Sequence, residues 1–115
     1  MEDILGNPLC GASWEGFCIE QILTSLPARS MASHYRTHAG AELDLVIESS
    51  AGETIAVEIK RTLSPKVTPG MMESLKTTKA SRGFIVIPRG EGFPLTPNVT
   101  ACSLRGFLNS MNELE

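Results

Sequence analysis

No stretch of this chain is long and apolar enough to span a bilayer, and its first residues lack a signal-peptide pattern. Both absences lead us to expect a soluble, cytoplasmic protein. Cysteines are few and odd in number. Cys10, Cys18 and Cys102 lack zinc-ligand spacing, so buried free thiols are the expected state. There is no phosphate-binding loop, because Arg89-Gly90-Glu91-Gly92-Phe93-Pro94 lacks the required spacing and the Lys-Ser/Thr ending. Internal repeats and low-complexity tracts are missing as well. Nor is positive charge in surplus: ten Lys and Arg against thirteen Asp and Glu leave a net charge of −3. That balance argues against a dedicated high-affinity nucleic-acid binder. With 115 residues there is room for one modest core but not for two, so residues 1–115 are read as a single domain.

What the chain does contain is two short alternating runs. Glu42-Leu43-Asp44-Leu45-Val46-Ile47-Glu48 and Thr54-Ile55-Ala56-Val57-Glu58-Ile59-Lys60 read as half-buried strands, apolar on one face and polar on the other. Asp44, Glu58 and Lys60 fall on the polar face. Ser49-Ser50-Ala51-Gly52-Glu53 reads as a hairpin loop, with Gly52 available for a positive φ. The simplest antiparallel register sets Val46 opposite Ala56, Asp44 opposite Glu58 and Glu42 opposite Lys60. Directly opposed side chains have Cβ atoms about 4.5–5.5 Å apart, so a carboxylate pair there needs a proton, a cation or deep solvation. Mg²⁺ or Mn²⁺ would supply the cation and activate a water, with Lys60 beside it. The plainer alternative is a solvated hairpin face with Glu42 and Lys60 as a surface ion pair.

The first helix adds a further carboxylate. From Gly11 to Leu26, Trp14, Phe17, Cys18, Ile19, Ile22, Leu23 and Leu26 recur at helical spacing, with Ser13 as cap and Pro27 as terminator. At about 100° per residue Glu15 lies between Ile22 and Leu26, inside the apolar arc. A carboxylate pointed there is costly unless paired or metal-bound. Glu15 is therefore expected to face the strand carboxylates; pairing with Arg36 or Lys60, or capping a backbone group, is the alternative.

A strand at Ala32–Thr37 is expected to pair with the Glu42 strand across a turn at Gly40. After Lys60, a second helix is capped by Thr68 with Pro69 at its first position, and Met71, Met72 and Leu75 face inward. Gly83–Pro88 is apolar on both faces and reads as a buried strand parallel to the third. A short strand at Asn98–Cys102 and a helix at Leu104–Met111 complete the order α-β-β-β-α-β-β-α. The fold class is α/β, a mixed central sheet flanked by helices.

Charge is unevenly spread. Lys60, Arg61, Lys66, Lys76, Lys79, Arg82 and Arg89 face only Glu58 and Glu73 between Val57 and Arg89. Basic residues around an acidic metal site suit a phosphodiester, although a solvated helix face accounts for them equally well. Arg36, Arg61 and Lys66 are the candidate substrate contacts. His34 and His38 would share a strand face about 13 Å apart, too far to chelate one ion.

Gly40-Ala41-Glu42-Leu43-Asp44, the hairpin, and Glu58-Ile59-Lys60 before a crossover helix together resemble the PD-(D/E)XK nuclease superfamily. Gly11–Phe17 and Tyr35-Arg36-Thr37 are similar to one branch of it, the nuclease-like C-terminal domain of unknown function of prokaryotic AAA+ ATPases. The resemblance implies a restriction-endonuclease-like core. It implies Asp44 and Glu58 as metal ligands, Lys60 as catalytic lysine and Glu15 as the helix acid that completes the site as a further metal residue, acting on DNA with Mg²⁺ or Mn²⁺. It also makes an AAA+ ATPase module an expected partner. Two departures stand out: Leu43 replaces the proline before Asp44, and the second helix has no glutamine or tyrosine motif. A metal-dependent nuclease-like domain is thus the leading expectation. A catalytically inactive interaction or regulatory module for a partner ATPase is the alternative, and a homodimer through an open sheet edge is compatible with both.

Overall fold

The computed structural model describes residues 10–36 and 42–112. The expected Gly40 turn, His38 and the irregular start at Met1–Leu9 lie outside these residues, as do the side chains of Arg36 and Glu42. Helix α1 (Cys10–Ser25) leads into β1 (Met31–Arg36), β2 (Glu42–Glu48) and β3 (Thr54–Ile59). Helix α2 (Pro69–Thr78) crosses to β4 (Arg82–Ile87), and β5 (Phe93–Thr96), β6 (Val99–Ser103) and α3 (Leu104–Asn112) follow. The six strands form one mixed sheet in the order β1-β2-β3-β4-β6-β5.

Sequence chemistry accounts for most of these boundaries. Thr68 caps α2 by accepting the Met71 N–H at 3.1 Å, and Pro69 fills the first turn, where its missing N–H costs nothing. Gly52 sits at φ 90° in the β2–β3 hairpin, where its N–H donates to Ser49 O. Pro27 follows the end of α1. That helix starts earlier than Ser13, however, so Ser13 lies within it and is not its cap.

Helices cover both faces of the sheet. On one, Trp14, Cys18 and Ile22 of α1 and Phe107 and Met111 of α3 pack on Leu45, Ile47, Val57, Ile59, Phe84 and Val86. Phe84 and Phe107 meet edge to face at 5.1 Å. On the other, Met71 and Leu75 of α2 pack on Leu43, Ala56, Ile85, Ile87 and Val99. Each fully buried aliphatic side chain contributes about 1.5–3 kcal/mol relative to exposure. Because β3 lies in the middle of the sheet, Ala56 is as fully buried as Val57. The expectation that β3 has one solvated face is therefore corrected: only Thr54 and Glu58, near its two ends, are partly exposed. Phe17, Leu23 and Met72, expected inward, are exposed because their helices bury one narrow stripe each.

Two further differences concern the sheet. The sequence reads Arg89–Pro94 as a loop, yet Phe93–Thr96 is an edge strand antiparallel to β6. Its Pro94 is tolerated there because an edge strand need not donate every N–H. The other lies in β2. Its pairing with β1 steps from Ser33↔Val46 to Tyr35↔Leu43, two residues of β1 against three of β2. The extra residue is a β-bulge, which breaks the in-and-out alternation. Leu43 accordingly packs on the α2 side while Leu45 and Ile47 pack on the α1 side.

Candidate functional site

The bulge places Asp44 where β2 and β3 part. The β2–β3 register includes Val46↔Ala56, as expected, and runs from Glu48↔Thr54 to Leu45↔Val57. Direct opposition of Asp44 and Glu58 is not among these pairs. Past the last of them, the Ile59 N–H is taken by a side chain, donating to Asp44 Oδ2 at 2.6 Å. On the other edge of β3 the Lys60 N–H donates to Val86 O at 2.9 Å, which holds the end of β3 against β4. One neighbouring strand stays in register while the other is held by a carboxylate, and a gap opens between them.

That gap is a polar cleft of about 210 Å³ lined by Glu15, Asp44, Glu58, Ile59 and Lys60. Helix α1 supplies Glu15, β2 supplies Asp44, and the end of β3 supplies Glu58 through Lys60. All four residues expected to form the site are thus brought together. Glu15 is not inside the apolar arc, however: it is exposed, on the flank of the stripe formed by Trp14, Cys18 and Ile22.

The charges in the cleft are only partly compensated. Lys60 Nζ stands 3.1 Å from Glu58 Oε2, and that side chain is only 15 % exposed. The same oxygen is buried and has no hydrogen-bond partner among the described residues. The two observations agree if the ammonium lies within ion-pair distance but off the line a hydrogen bond needs; the attraction is Coulombic, without directional bonding. Partial burial, and then the negative charge of Asp44, raise the Glu15 carboxyl above the ordinary 4.5. Glu15 in turn adds to the effect of burial on Cys18, whose thiol is pushed up to about 11. Cys102 is likewise pushed up to about 11 by burial. Both remain free, buried thiols, as expected.

Among the described residues no three of His, Cys, Asp and Glu converge closely enough to hold an ion as they stand. The available set is two carboxylates, Asp44 and Glu58, with Glu15 facing them. Arg61 and Lys66 are exposed and outside this cleft. Arg61 lines a second one, with Thr62, Leu63, Pro88 and Arg89. Arg36 ends β1 opposite Glu42, and His34 is exposed on the same strand.

The family described as a domain of unknown function, DUF4143, matches residues 10–107. This chain belongs to the DUF4143 family. The matched span takes in every element that builds the cleft, from Glu15 on α1 to Lys60 after β3. Uncharacterized proteins of Mycobacterium tuberculosis and Mycobacterium bovis are each 43 % identical to this DUF4143 domain over 95 residues. The alignment covers 83 % of this chain but 21 % of either relative, so the chain spans about a fifth of their length. No solved structure matches it. Among the described residues, no helix is long and apolar enough to cross a membrane.

Two features of the site were not read from the sequence. One is the Ile59 N–H as the partner of Asp44, which depends on the bulge. The other is Arg89, which the sequence shows only as one basic residue at the start of a loop. Its neighbours Pro88 and Gly90 are the available sequence signal, since Gly90 adopts φ 115° there.

Proposed function

We propose that this domain is a PD-(D/E)XK nuclease-like module that hydrolyses DNA phosphodiester bonds with Mg²⁺ or Mn²⁺. One observation carries the reading: a single polar cleft collects Glu15, Asp44, Glu58 and Lys60 from three elements at the end of the sheet. The donor set suits a hard cation. Mg²⁺ keeps several waters and takes only one or two carboxylates, and Glu58 Oε2 is a buried oxygen without a directed donor. Asp44 and Glu58 would hold the ion, with Glu15 across the cleft. When bound, it would supply a Lewis acid and a water of lowered pKa.

The protein's own groups have separable roles in this reading. The Ile59 N–H engages one oxygen of the Asp44 carboxylate, in a residue that lines the cleft. Lys60 stands beside Glu58, where its ammonium can meet negative charge developing on a phosphate oxygen. Glu15 holds its proton to a higher pH than an ordinary carboxyl, which suits it to exchange a proton with a cleft water.

Asp44→Asn is the direct test, because an asparagine oxygen can still accept the Ile59 N–H and so keep the strand ends in place. Cleavage of plasmid and oligonucleotide DNA in Mn²⁺ should be lost in this variant while its thermal unfolding stays close to wild type. Persistent cleavage would overturn the assignment.

A second reading has observations of its own. Asp44 already has a backbone donor and Glu58 an ammonium, and no three ligands converge among the described residues. The matched relatives are about five times as long as the shared region. In this reading the domain is a catalytically inactive nuclease-fold module that docks on or regulates a partner ATPase, and the cleft is a polar network that orders the strand ends. Its signature is an absence of metal affinity, read by Mn²⁺-induced NMR line broadening at Asp44, Glu58 and Glu15.

A further inference from the structure

The end of the sheet that carries the carboxylate cleft also carries a second cleft. β3 and β4 are parallel, with Ile59 paired to Val86, so both strands release their chains at the same edge. Arg61–Leu63 leave β3 there, and Pro88–Arg89 leave β4. Together they line a cavity of about 350 Å³. Two guanidinium side chains border it and no carboxylate does. Crevices outside the carboxyl ends of parallel strands are common ligand sites, because successive loops converge there.

The backbone on either side of the second arginine is restricted by residue type. Pro88 fixes its own φ before Arg89, and Gly90 turns the chain after it at φ 115°, a conformation that side-chain-bearing residues rarely adopt. Arg89 is exposed and makes no salt bridge among the described residues. Arg82, at the other end of β4, is by contrast committed to Glu53. Leu63 is 50 % exposed beside the arginines, which gives the cleft an aliphatic wall.

We infer that this second cleft holds backbone phosphates of the nucleic-acid strand whose scissile bond enters the carboxylate cleft. Arg61 and Arg89 are the phosphate contacts, and Leu63 packs against a sugar or base. Guanidinium forks match pairs of phosphate oxygens, which a point charge on lysine does less well. Both clefts lie at the same end of the sheet, since Lys60 lines one and its chain neighbour Arg61 the other. The net charge of −3 argues against high affinity but leaves a local contact open, since charges beyond about 10 Å are largely screened at 0.1 M salt. The inference rests on the nuclease-like reading for the identity of the ligand, but not for any step of chemistry.

The test is fluorescence anisotropy with labelled oligodeoxythymidine and a labelled duplex, titrated over salt in EDTA so that nothing can be cut. Arg89→Gln is the deciding variant, because its side chain sits on an exposed loop. Arg29→Gln is the control for net charge; Arg29 precedes β1, at the opposite end of the sheet from both clefts. In Arg89→Gln the slope of log affinity against log salt should fall by about 0.7 with the single strand or about 0.9 with the duplex. The control should keep its slope. An unchanged slope in Arg89→Gln, or no binding of either DNA by the wild type, would overturn the inference. The two readings fail separately. Arg89-dependent binding without cleavage in Mn²⁺ would leave the strand site standing and remove the nuclease chemistry. Cleavage with an Arg89-independent slope would do the reverse.

Discussion

Strands β3 and β4 carry a polar cluster at each end, and the two clusters differ in how fully their charges are met. At the amino ends, Glu53 Oε2 accepts from Ser81 Oγ at 2.7 Å and from Arg82 Nε at 2.9 Å. Arg82 also lies over the Phe84 ring, 5.5 Å from its centroid. The hydroxyl donor first, and then the guanidinium, hold the Glu53 carboxyl below its ordinary value despite partial burial. At the carboxyl ends, Glu58 Oε2 is buried without a directed donor, and partial burial, then the charge of Asp44, raise the cost of ionising Glu15. The first cluster is a closed network that fastens the sheet. The second is open and incompletely compensated, as expected of groups kept available for a ligand.

That contrast can be broken experimentally, and the largest effect belongs to the open end. Asp44→Asn should reduce DNA cleavage to below about 1 % of wild type, the scale of removing one preorganised electrostatic group, with little change in stability. A plasmid-nicking assay beside a thermal melt checks both halves. The salt slope of DNA binding in Arg89→Gln, above, is the next largest.

Glu53→Gln should act in the opposite sense, on stability and not on activity. Its partners are partly exposed, so the loss at neutral pH is about 1 kcal/mol, measured by urea unfolding. Glu53 has a lowered carboxyl pKa in the folded state. Its contribution is therefore fully present above the unfolded value near 4.5, and is lost as pH falls through the lower folded value. The wild-type and variant curves should converge at acid pH.

Glu15→Gln should give the smallest effect and the reverse pH dependence. Glu15 has a raised carboxyl pKa, so the folded state binds its proton more tightly than the unfolded chain does. Stability is then lost as pH rises from about 4.5 through the folded value, and glutamine should relieve that loss at neutral pH. Urea unfolding in EDTA across this range should show the variant slightly more stable at pH 7 and level with wild type at low pH. Equal pH slopes in Glu53→Gln and Glu15→Gln would erase the distinction between the two clusters.

Much of the scaffold was legible from residue chemistry alone. Thr68-Pro69 marked the start of α2, Gly52 marked the hairpin, and the doubly apolar Gly83–Pro88 run announced a buried strand parallel to β3. Each of these signals is local, acting through a hydroxyl at a cap, a missing Cβ or a hydrophobic run. Elements that depend on a distant partner were harder to read. Phe93–Thr96 carries glycine and proline near its start and becomes a strand only because β6 lies beside it. Phe17 and Leu23 fit the helical apolar arc, but the core beneath α1 fully covers Trp14, Cys18 and Ile22, takes Ile19 and Leu26 at its margin, and leaves Phe17 and Leu23 exposed.

The sequence by itself determined which side chains are available for chemistry: Glu15 on a helix, Asp44 on one strand, Glu58 and Lys60 at the end of the next. Their residue types and spacing are covalent facts. Only the tertiary structure decided how they meet. Strict alternation would have kept Leu43, Leu45 and Ile47 on one face and Asp44 squarely opposite Glu58. The extra residue in β2 moves Leu43 to the far face and gives Asp44 the Ile59 N–H as partner. A bulge is set by the energy of pairing against β1 and packing against two helices at once, and no local run of residues encodes that balance.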